Sequence, residues 1–444
     1  MKNFPNAFVI IIGGILLAWA LTYIIPQGSY ERIEDLETDT TTVVANSYEQ
    51  IQGERLSAFD MMLTIPRGIA ETADVVILIL LLGGCFYVIE RTGALSQGLN
   101  KLVQLLKGKE ILSLVIVSLL FTAAGVTIGM QEEVIAMTPV LLIFGKSMGF
   151  NSFTTVSMSY GSTVIGSTFS PFNPFGVIVA QQEADLPLLS GSGFRLLVLS
   201  IAFLIWIMYL IRYSKKHRSE KEETIVLDGQ IGIHSKIILS LLCLVFVIVT
   251  YGLLQWNWGY MEISAAFFAL GIISGLLGKL GANGTGEAFI SGFKEMIFAA
   301  MIIGLANSIS MVLKEGLIID TIVYGLFGPL KYVSASVSGV LMMVSQAILH
   351  LPIPSYTSQA ILTMPILVPL SDLIGLSRQT CVLAYQYGAI ISDMFVPTNG
   401  ALMAILAISG IPYNKWLGFA WKPTVIMLLV GAISILISVY TGYN

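Results

Sequence analysis

Charge is what this chain has least of. Only 11% of its 444 residues are Asp, Glu, Lys or Arg, against about 25% in an ordinary soluble domain, while 55% are hydrophobic. That deficit excludes a soluble globular protein. Residues 7–25, 75–89, 196–211, 237–254, 263–278 and 424–440 carry no charge at all, and most approach the roughly 20 residues that cross a bilayer. Runs this long indicate helices, since a membrane barrel would show short alternating strands. Cysteine is scarce as well: Cys85, Cys243 and Cys381 sit in separate apolar stretches without metal spacing, which sets aside disulfides and zinc in favour of small apolar filler. The absence of a G-x-x-x-x-G-K-[ST] loop excludes a primary pump. Without an H-E-x-x-H site or an Asp-rich pair, an intramembrane enzyme using Glu132 and Glu133 as catalytic acids is a remote alternative. A net charge of -4, set mainly by loops, implies no nucleic-acid partner, and no cofactor is implied.

The chain is therefore expected to be an all-α polytopic membrane protein whose partner is the lipid bilayer. Within its apolar runs, Tyr160 to Pro187 and Tyr387 to Pro412 each contain a Pro-X-Asn step, Pro171-Phe172-Asn173 and Pro397-Thr398-Asn399. Two helices are broken at matching places. A break leaves backbone N–H and C=O groups unpaired, which lipid tolerates only where the chain is packed in protein or lines a cavity. Paired breaks in corresponding halves point to a transporter's binding site.

Two polar stretches fix the orientation. Residues 27–73 are acidic, with Glu31, Glu34, Asp35, Glu37 and Asp39, and residues 212–236 are basic, with Lys215, Lys216, His217 and Arg218. Because Lys and Arg mark cytoplasmic loops, the first loop should be external and the second internal. That puts Lys2 and the N-terminus inside and the C-terminus outside the inner membrane. Lys2 before an apolar run imitates a signal peptide, but the run is too long and lacks a cleavage site, so it is expected to be the first transmembrane helix. The stretch between Lys109 and Lys146, interrupted at Gly125 to Glu133, is read as a re-entrant hairpin. Its counterpart opens the other way.

Gly93, Pro139, Gly161, Asn173 and Pro187 recur as Gly316, Pro365, Gly388, Asn399 and Pro412 at a nearly constant offset. This indicates an internal duplication, and an odd number of crossings makes it an inverted repeat. The expected organisation is residues 1–73 as first helix and external loop, then 74–212 as repeat 1, with hairpin 110–147 and broken helix 151–187. Residues 213–291 form the cytoplasmic loop and linking helices. Repeat 2 spans 292–444, with hairpin 334–376 and broken helix 379–412.

The half-helix after a break offers free N–H groups and a positive dipole end, suited to a carboxylate; the one before it offers carbonyls, suited to a cation. Hydroxyl and amide oxygens near the breaks are hard ligands for a small cation such as sodium. The cation-coupling candidates are Ser167, Thr168, Ser392, Asp393, Glu132 and Glu133. The substrate-binding candidates are Asn173, Thr398 and Asn399, together with Gln131, Glu132 and Glu133 at the first hairpin tip and Ser355, Thr357, Ser358 and Gln359 at the second. Carboxylates deep in an apolar region are costly and by default functional, so the two glutamates bind a substrate ammonium or a coupling cation, or carry a proton. His350 could titrate near neutral pH, although a histidine in an apolar hairpin is more often a hydrogen-bonded packing residue. No Lys or Arg is expected at the membrane centre, which removes a guanidinium clamp for dianions. Trp256, Trp258, Trp416 and Trp421 read as interfacial anchors.

The blocks IPRGIAETADVVILILLLGGCFYVIERTGAL, TIGMQEEVIAMTP, STFSPFNPFGVIVAQ, SQAILTMPILVPLSDLIGLSRQ and VPTNGALMAILAISGIPYNKW resemble the anaerobic C4-dicarboxylate carrier-like family, a branch of the ion transporter superfamily. The similarity runs from Pro26 onward. It implies an elevator-type transporter with a scaffold, a mobile region carrying both hairpins, and by superfamily analogy a homodimer. Where the superfamily's best-known symporters carry Ser-Asn-Thr signatures, this chain has Gln131-Glu132-Glu133 and Ser358-Gln359, so their sites do not transfer directly. The expected function is secondary transport of a C4-dicarboxylate or similar organic anion, coupled to sodium or protons or to exchange. The alternative is an amino-acid exchanger of arginine/ornithine type, and a passive channel would differ by lacking counterflow.

Overall fold

The computed structural model describes residues 7–35, 40–44, 46–106, 108–219, 232–256 and 258–443. Lys2, Glu37, Asp39, Lys107 and residues 220–231 of the basic loop lie outside the described residues. Six of the described helices are long and apolar enough to cross a membrane; four of them match the charge-free runs 75–89, 196–211, 263–278 and 424–440, while runs 7–25 and 237–254 fall on shorter apolar helices. The protein is a polytopic membrane protein.

Helix α1 (Ala7–Ile24) leads into the acidic stretch, which is not structureless: it carries the strands β1 (Gly28–Ser29), β2 (Arg32–Asp35), β3 (Thr40–Val43) and β4 (Glu49–Gln50). β1 pairs with β4 and β2 with β3, both antiparallel. These two short ladders are confined to the loop, and every other element of the described chain is helical, as expected. The strands hold the loop against the helices, because buried Asp320 accepts the Tyr30 N–H at 2.9 Å and pairs with Arg32 at 2.8 Å.

Beyond the loop come α2 (Ala58–Glu71), α3 (Ala73–Arg91), α4 (Ala94–Leu106), α5 (Glu110–Ile128) and α6 (Glu132–Ser147). The first broken helix comprises α7 (Ser152–Val156), a π-helical turn (Ser157–Gly161), α8 (Ser162–Thr168), a second π-helical turn (Pro174–Ile178) and α9 (Val179–Glu183). Then follow α10 (Ser192–Lys216), α11 (Ile233–Gln255), α12 (Tyr260–Leu277), α13 (Gly281–Glu315), α14 (Ile319–Phe327), α15 (Ala335–Leu349) and α16 (Tyr356–Leu373). The second broken helix comprises α17 (Arg378–Ala389), a 3-10 turn (Ile390–Met394) and α18 (Gly400–Ile408), and α19 (Tyr413–Thr441) closes the chain.

Buried apolar side chains divide into bodies that match this list. The largest cluster draws mostly on α5 to α10 and α15 to α19. A second joins α3, α4, α11, α12 and α13, and a third joins α1 and α2 to α13. The hairpins and broken helices thus form one core, and α1 to α4 with α11 to α13 form a frame beside it.

Inside the first core, packing partners recur in matched form. α5 lies on α8 as α15 lies on α17, and α9 lies on α16 as α18 lies on α6. Close approach of backbones makes these pairs possible. A Cβ at Gly125 of α5 would stand 2.2 Å from the Thr163 carbonyl oxygen, one at Gly166 of α8 2.1 Å from that of Thr122, and one at Gly388 of α17 2.0 Å from that of Met343 on α15. Small residues drive such helix association where lipid offers no hydrophobic gain. Gly388→Val is therefore expected to destabilise the fold by about 1–3 kcal/mol or more through overpacking, whereas Gly286→Ala, at a site with open space, should be neutral. Thermal unfolding of the purified protein in detergent checks both, and an unshifted midpoint for Gly388→Val refutes the backbone contact.

Candidate functional site

Each hairpin tip is shaped by local chemistry. α5 ends at Gly129, whose φ of 60° lies in the left-handed region, where glycine bears no Cβ penalty. Gln131 then precedes α6, and Glu132 and Glu133 occupy its first turn, close to the positive end of the helix dipole. At the second tip, Pro352 and Pro354 stop helical continuation, and Ser355 caps α16 by accepting the Ser358 N–H.

The first break is sealed from within. Asn173 Oδ1 accepts from Phe175 and Gly176 N–H, both at 3.0 Å, while its Nδ2 donates to the Gly125 carbonyl at 2.9 Å. Ser170 Oγ accepts from Phe172 and Asn173 N–H and donates to the Val126 carbonyl at 2.8 Å. Pro171 and Pro174 have no N–H to satisfy. Ser170's carbonyl takes a hydrogen bond from Gln386 Nε2 at 2.8 Å.

The second break is sealed by side chains from other elements. Asn399 Oδ1 caps α18 by accepting the Leu402 N–H at 2.7 Å. The carbonyls before it accept from Tyr160 Oη (Asp393, 3.1 Å), Trp416 Nε1 (Met394, 2.8 Å) and Tyr413 Oη (Phe395, 2.5 Å). Trp416, expected at an interface, is fully buried: its indole N–H was needed by a broken helix. Trp256 and Trp421 are exposed, consistent with the interfacial role.

Around Asp393 the second break builds a buried polar network. Its Oδ2 accepts from Gln131 Nε2 at 2.6 Å; its Oδ1 accepts from Asn399 Nδ2 at 2.6 Å and lies 2.7 Å from His350 Nε2. Asn399 Nδ2 also reaches Gln131 Oε1 at 3.3 Å. His350 Nδ1 lies 2.9 Å from Gln359 Oε1, and Gln359 continues to Gln346 and Thr363. All of these side chains are buried. The first tip therefore meets the second break. In the reverse direction, Thr357 Oγ1 at the second tip donates to the Phe175 carbonyl just past the first break, at 2.8 Å.

A cavity of about 790 Å3 opens beside this crossing. Gln131, Glu132, Glu133, Ser355, Thr357, Ser358, Thr398 and Asn399 line it, facing Tyr260, Asn307 and Lys314 of the frame and Arg32 and Asp320 below the loop. Glu133 Oε2 and Thr398 Oγ1 are buried without a hydrogen-bond partner. No ion pair links Glu132 or Glu133 to a cation among the described residues.

Several expected site residues do other work. Asn173 and Gln359 stay out of the cavity, the first spent on its own helix break and the second turned toward His350. Ser167 donates to the Gly125 carbonyl, Thr168 to that of Val164, and Ser392 to those of Gly388 and Ala347; none lines the cavity. Asp393 sits as an acceptor among N–H groups rather than as a metal ligand, and no group of three His, Cys, Asp or Glu is arranged for a metal among the described residues.

Sequence reading missed His350 as the centre of a network, along with Tyr160 and Gln346, because only the fold brings them to Asp393. It also missed Arg195, in the first turn of α10. That guanidinium is fully buried and donates to the oxygens of Ser190, Gln379 and Gln386 at 2.8, 3.1 and 3.3 Å, with no carboxylate paired to it among the described residues.

With this geometry in place, similarity to known proteins can be weighed. The model of the family described as DcuC, C4-dicarboxylate anaerobic carrier, matches residues 4–440. A Haemophilus influenzae protein of uncharacterised function is 29% identical over 502 aligned positions, covering 98% of this chain and 97% of that one. YfcC of Escherichia coli, provisionally assigned as a basic amino acid antiporter, is 27% identical over 491 positions, covering 99% and 97%. Among solved structures, the YdaH transporter of Alcanivorax borkumensis gives a TM-score of 0.47 at 14% identity over 99% of both chains, and Neisseria gonorrhoeae MtrF gives 0.43 at 16% over 98% and 95%. Both are loose likenesses.

The capping role of Asn173 is testable. Asn173→Ala is expected to cost about 1–3 kcal/mol of fold stability, since two amide hydrogens and a buried carbonyl lose their partner. Thermal unfolding in detergent measures this, and weakened substrate binding with an unmoved midpoint would return Asn173 to the binding site.

Proposed function

The chain belongs to the C4-dicarboxylate anaerobic carrier family, and from that footing we propose that this secondary transporter moves a small metabolite bearing both a carboxylate and a cationic group: an amino acid, with a basic one fitting best. The observation that carries this reading is the buried, partnerless Glu133 Oε2 in the cavity wall. A carboxylate removed from water at such cost calls for a cation. Four carboxylates, Glu71, Glu132, Glu133 and Asp320, line the cavity against two cations, Arg32 and Lys314, and Arg32 is already paired with Asp320. The surplus is negative. A dicarboxylate would add to it; a basic amino acid would offset it while its own carboxylate meets Lys314 or the hydroxyls of Ser355, Thr357 and Ser358. The provisional assignment of YfcC agrees with this chemistry.

A second reading, a C4-dicarboxylate, is favoured by the family's description and by Lys314 in the same wall. In either case the alternating arrangement is an inverted repeat. The matched pairings of hairpins and broken helices support that arrangement, and the apolar core they form, which α3 and α13 of the frame enter only in part, supports elevator-like movement against the frame. α5 is by itself long enough to span, yet its end at Gly129 lies against Asn173 and Tyr356, which supports a hairpin turning back within the protein. The inner membrane, an internal N-terminus, an external C-terminus and a homodimer complete the proposal.

Counterflow in proteoliposomes decides between substrates. With arginine, ornithine, aspartate and succinate compared, saturable exchange is expected for arginine or ornithine, and Glu133→Gln should lower it at least tenfold without reducing the amount reconstituted. Exchange of succinate that is indifferent to Glu133→Gln would overturn the amino-acid reading in favour of the dicarboxylate.

A further inference from the structure

The network around His350 carries one proton more than its groups would hold as a neutral imidazole and a carboxylate. The chain of donors begins at Thr363. Its single hydroxyl hydrogen is donated to the Gln359 carbonyl at 2.7 Å, so its Oγ1 can only accept from Gln346, whose contacting atom at 2.8 Å must be the NH2. Gln346 then presents its oxygen to Gln359, alongside its own backbone carbonyl, and Gln359 must answer both with its NH2. The remaining Gln359 atom, 2.9 Å from His350 Nδ1, is therefore oxygen. His350 Nδ1 is a donor.

The other side is fixed in the same way. Asn399 Oδ1 accepts the Leu402 backbone N–H, so its Nδ2 is the group 2.6 Å from Asp393 Oδ1. His350 Nε2 stands 2.7 Å from that same oxygen. With Nδ1 already carrying hydrogen, a neutral ring would turn a lone pair on Nε2 toward a carboxylate lone pair. Two states remove this conflict: an imidazolium beside a carboxylate, or a neutral ring accepting from a carboxylic acid. Both contain the same added proton.

We propose that His350 and Asp393 form the proton-binding site through which transport is coupled, a reading that rests on the chain being a secondary transporter but not on which substrate it carries. Loaded, the pair is formally neutral; emptied, it leaves a negative charge in the interior, which is costly. No Lys or Arg contacts the pair among the described residues. The titratable groups facing it are Glu132 from α6, Tyr160 from the first broken helix, Tyr356 from α16 and Tyr385 from α17. The link to the cavity is direct, since Gln131 and Asn399 both bond Asp393 and both line the cavity. A proton leaving the pair raises the negative charge on the oxygens that accept from Gln131 and Asn399, and so tightens the hold on two residues of the cavity wall.

Two measurements test this. The chain holds three histidines, and His217 and His234 are exposed, so replacing both with Gln leaves His350 as the only histidine without disturbing the buried pair. Nitrogen-15 solid-state spectra of that variant in lipid bilayers at neutral pH, with carbon-13 aspartate coupled through space to the ring, should show one of the two loaded states. A neutral ring beside an ionised Asp393 overturns the proposal. In proteoliposomes with the membrane potential clamped, and labelled arginine as probe, a one-unit pH difference should support up to about tenfold accumulation for one proton per substrate. Arginine counterflow that ignores the pH difference and follows sodium instead also overturns it. If arginine shows no counterflow, the substrate reading fails while the spectra still decide the proton site.

Discussion

Unpaired backbone at two helix breaks is the constraint from which the rest of this structure follows. Water is not available to satisfy those groups in an apolar surrounding, and each one left alone costs several kcal/mol. The chain therefore spends Asn173, Ser170 and Gln386 on the first break and Asn399, Tyr160, Trp416 and Tyr413 on the second. Several of these come from distant elements. Meeting the hydrogen-bond demand of the breaks is what draws both hairpins and both broken helices into one core.

The two halves solve that problem differently, and the difference creates a site. At the first break all partners are neutral, and Asn173 spends both acceptor positions of Oδ1 and one Nδ2 hydrogen on the break and the Gly125 carbonyl. At the second, an acidic residue stands six residues before the capping asparagine, and the opposite hairpin tip supplies Gln131 to meet it. Matched packing of the two hairpin and broken-helix pairs thus carries its chemistry on one side. The carboxylates at the first tip have only neutral counterparts at the second, so the charge that the hairpins bring to the cavity comes from one tip alone.

Much of this was legible in the sequence because it depends on local signals. Pro-X-Asn steps in apolar runs mark breaks, polar interruptions between lysines mark tips, and helix bounds follow from caps and glycines such as Ser355 and Gly129. The fates of individual polar residues were not legible. Asn173 and Asn399 share a Pro-X-Asn step, yet the first ties its break to the Gly125 carbonyl and the second belongs to the Asp393 network; Trp416 looks like an anchor until a carbonyl on a preceding turn needs it. Such roles are set by contacts between residues far apart in the chain. Arg195 shows the same limit, since one cation at the start of a charge-free run reads as an interfacial residue when only its neighbours in sequence are known.

Gln131 is the residue at which these threads meet. It ends the turn of the first hairpin, its amide spans Asp393 and Asn399, and the next two residues are the cavity glutamates. Any ligand that draws Glu132 or Glu133 toward it acts on the helix that begins there, and Gln131 cannot follow without lengthening its bond to Asp393. Hydrogen bonds to a charged group are worth about 1.5–3 kcal/mol, comparable to the coupling free energies that link sites in proteins. One amide on a tight turn is thus sufficient to make occupancy of the cavity and the state of the buried pair depend on each other. The dependence is reciprocal, as linkage requires.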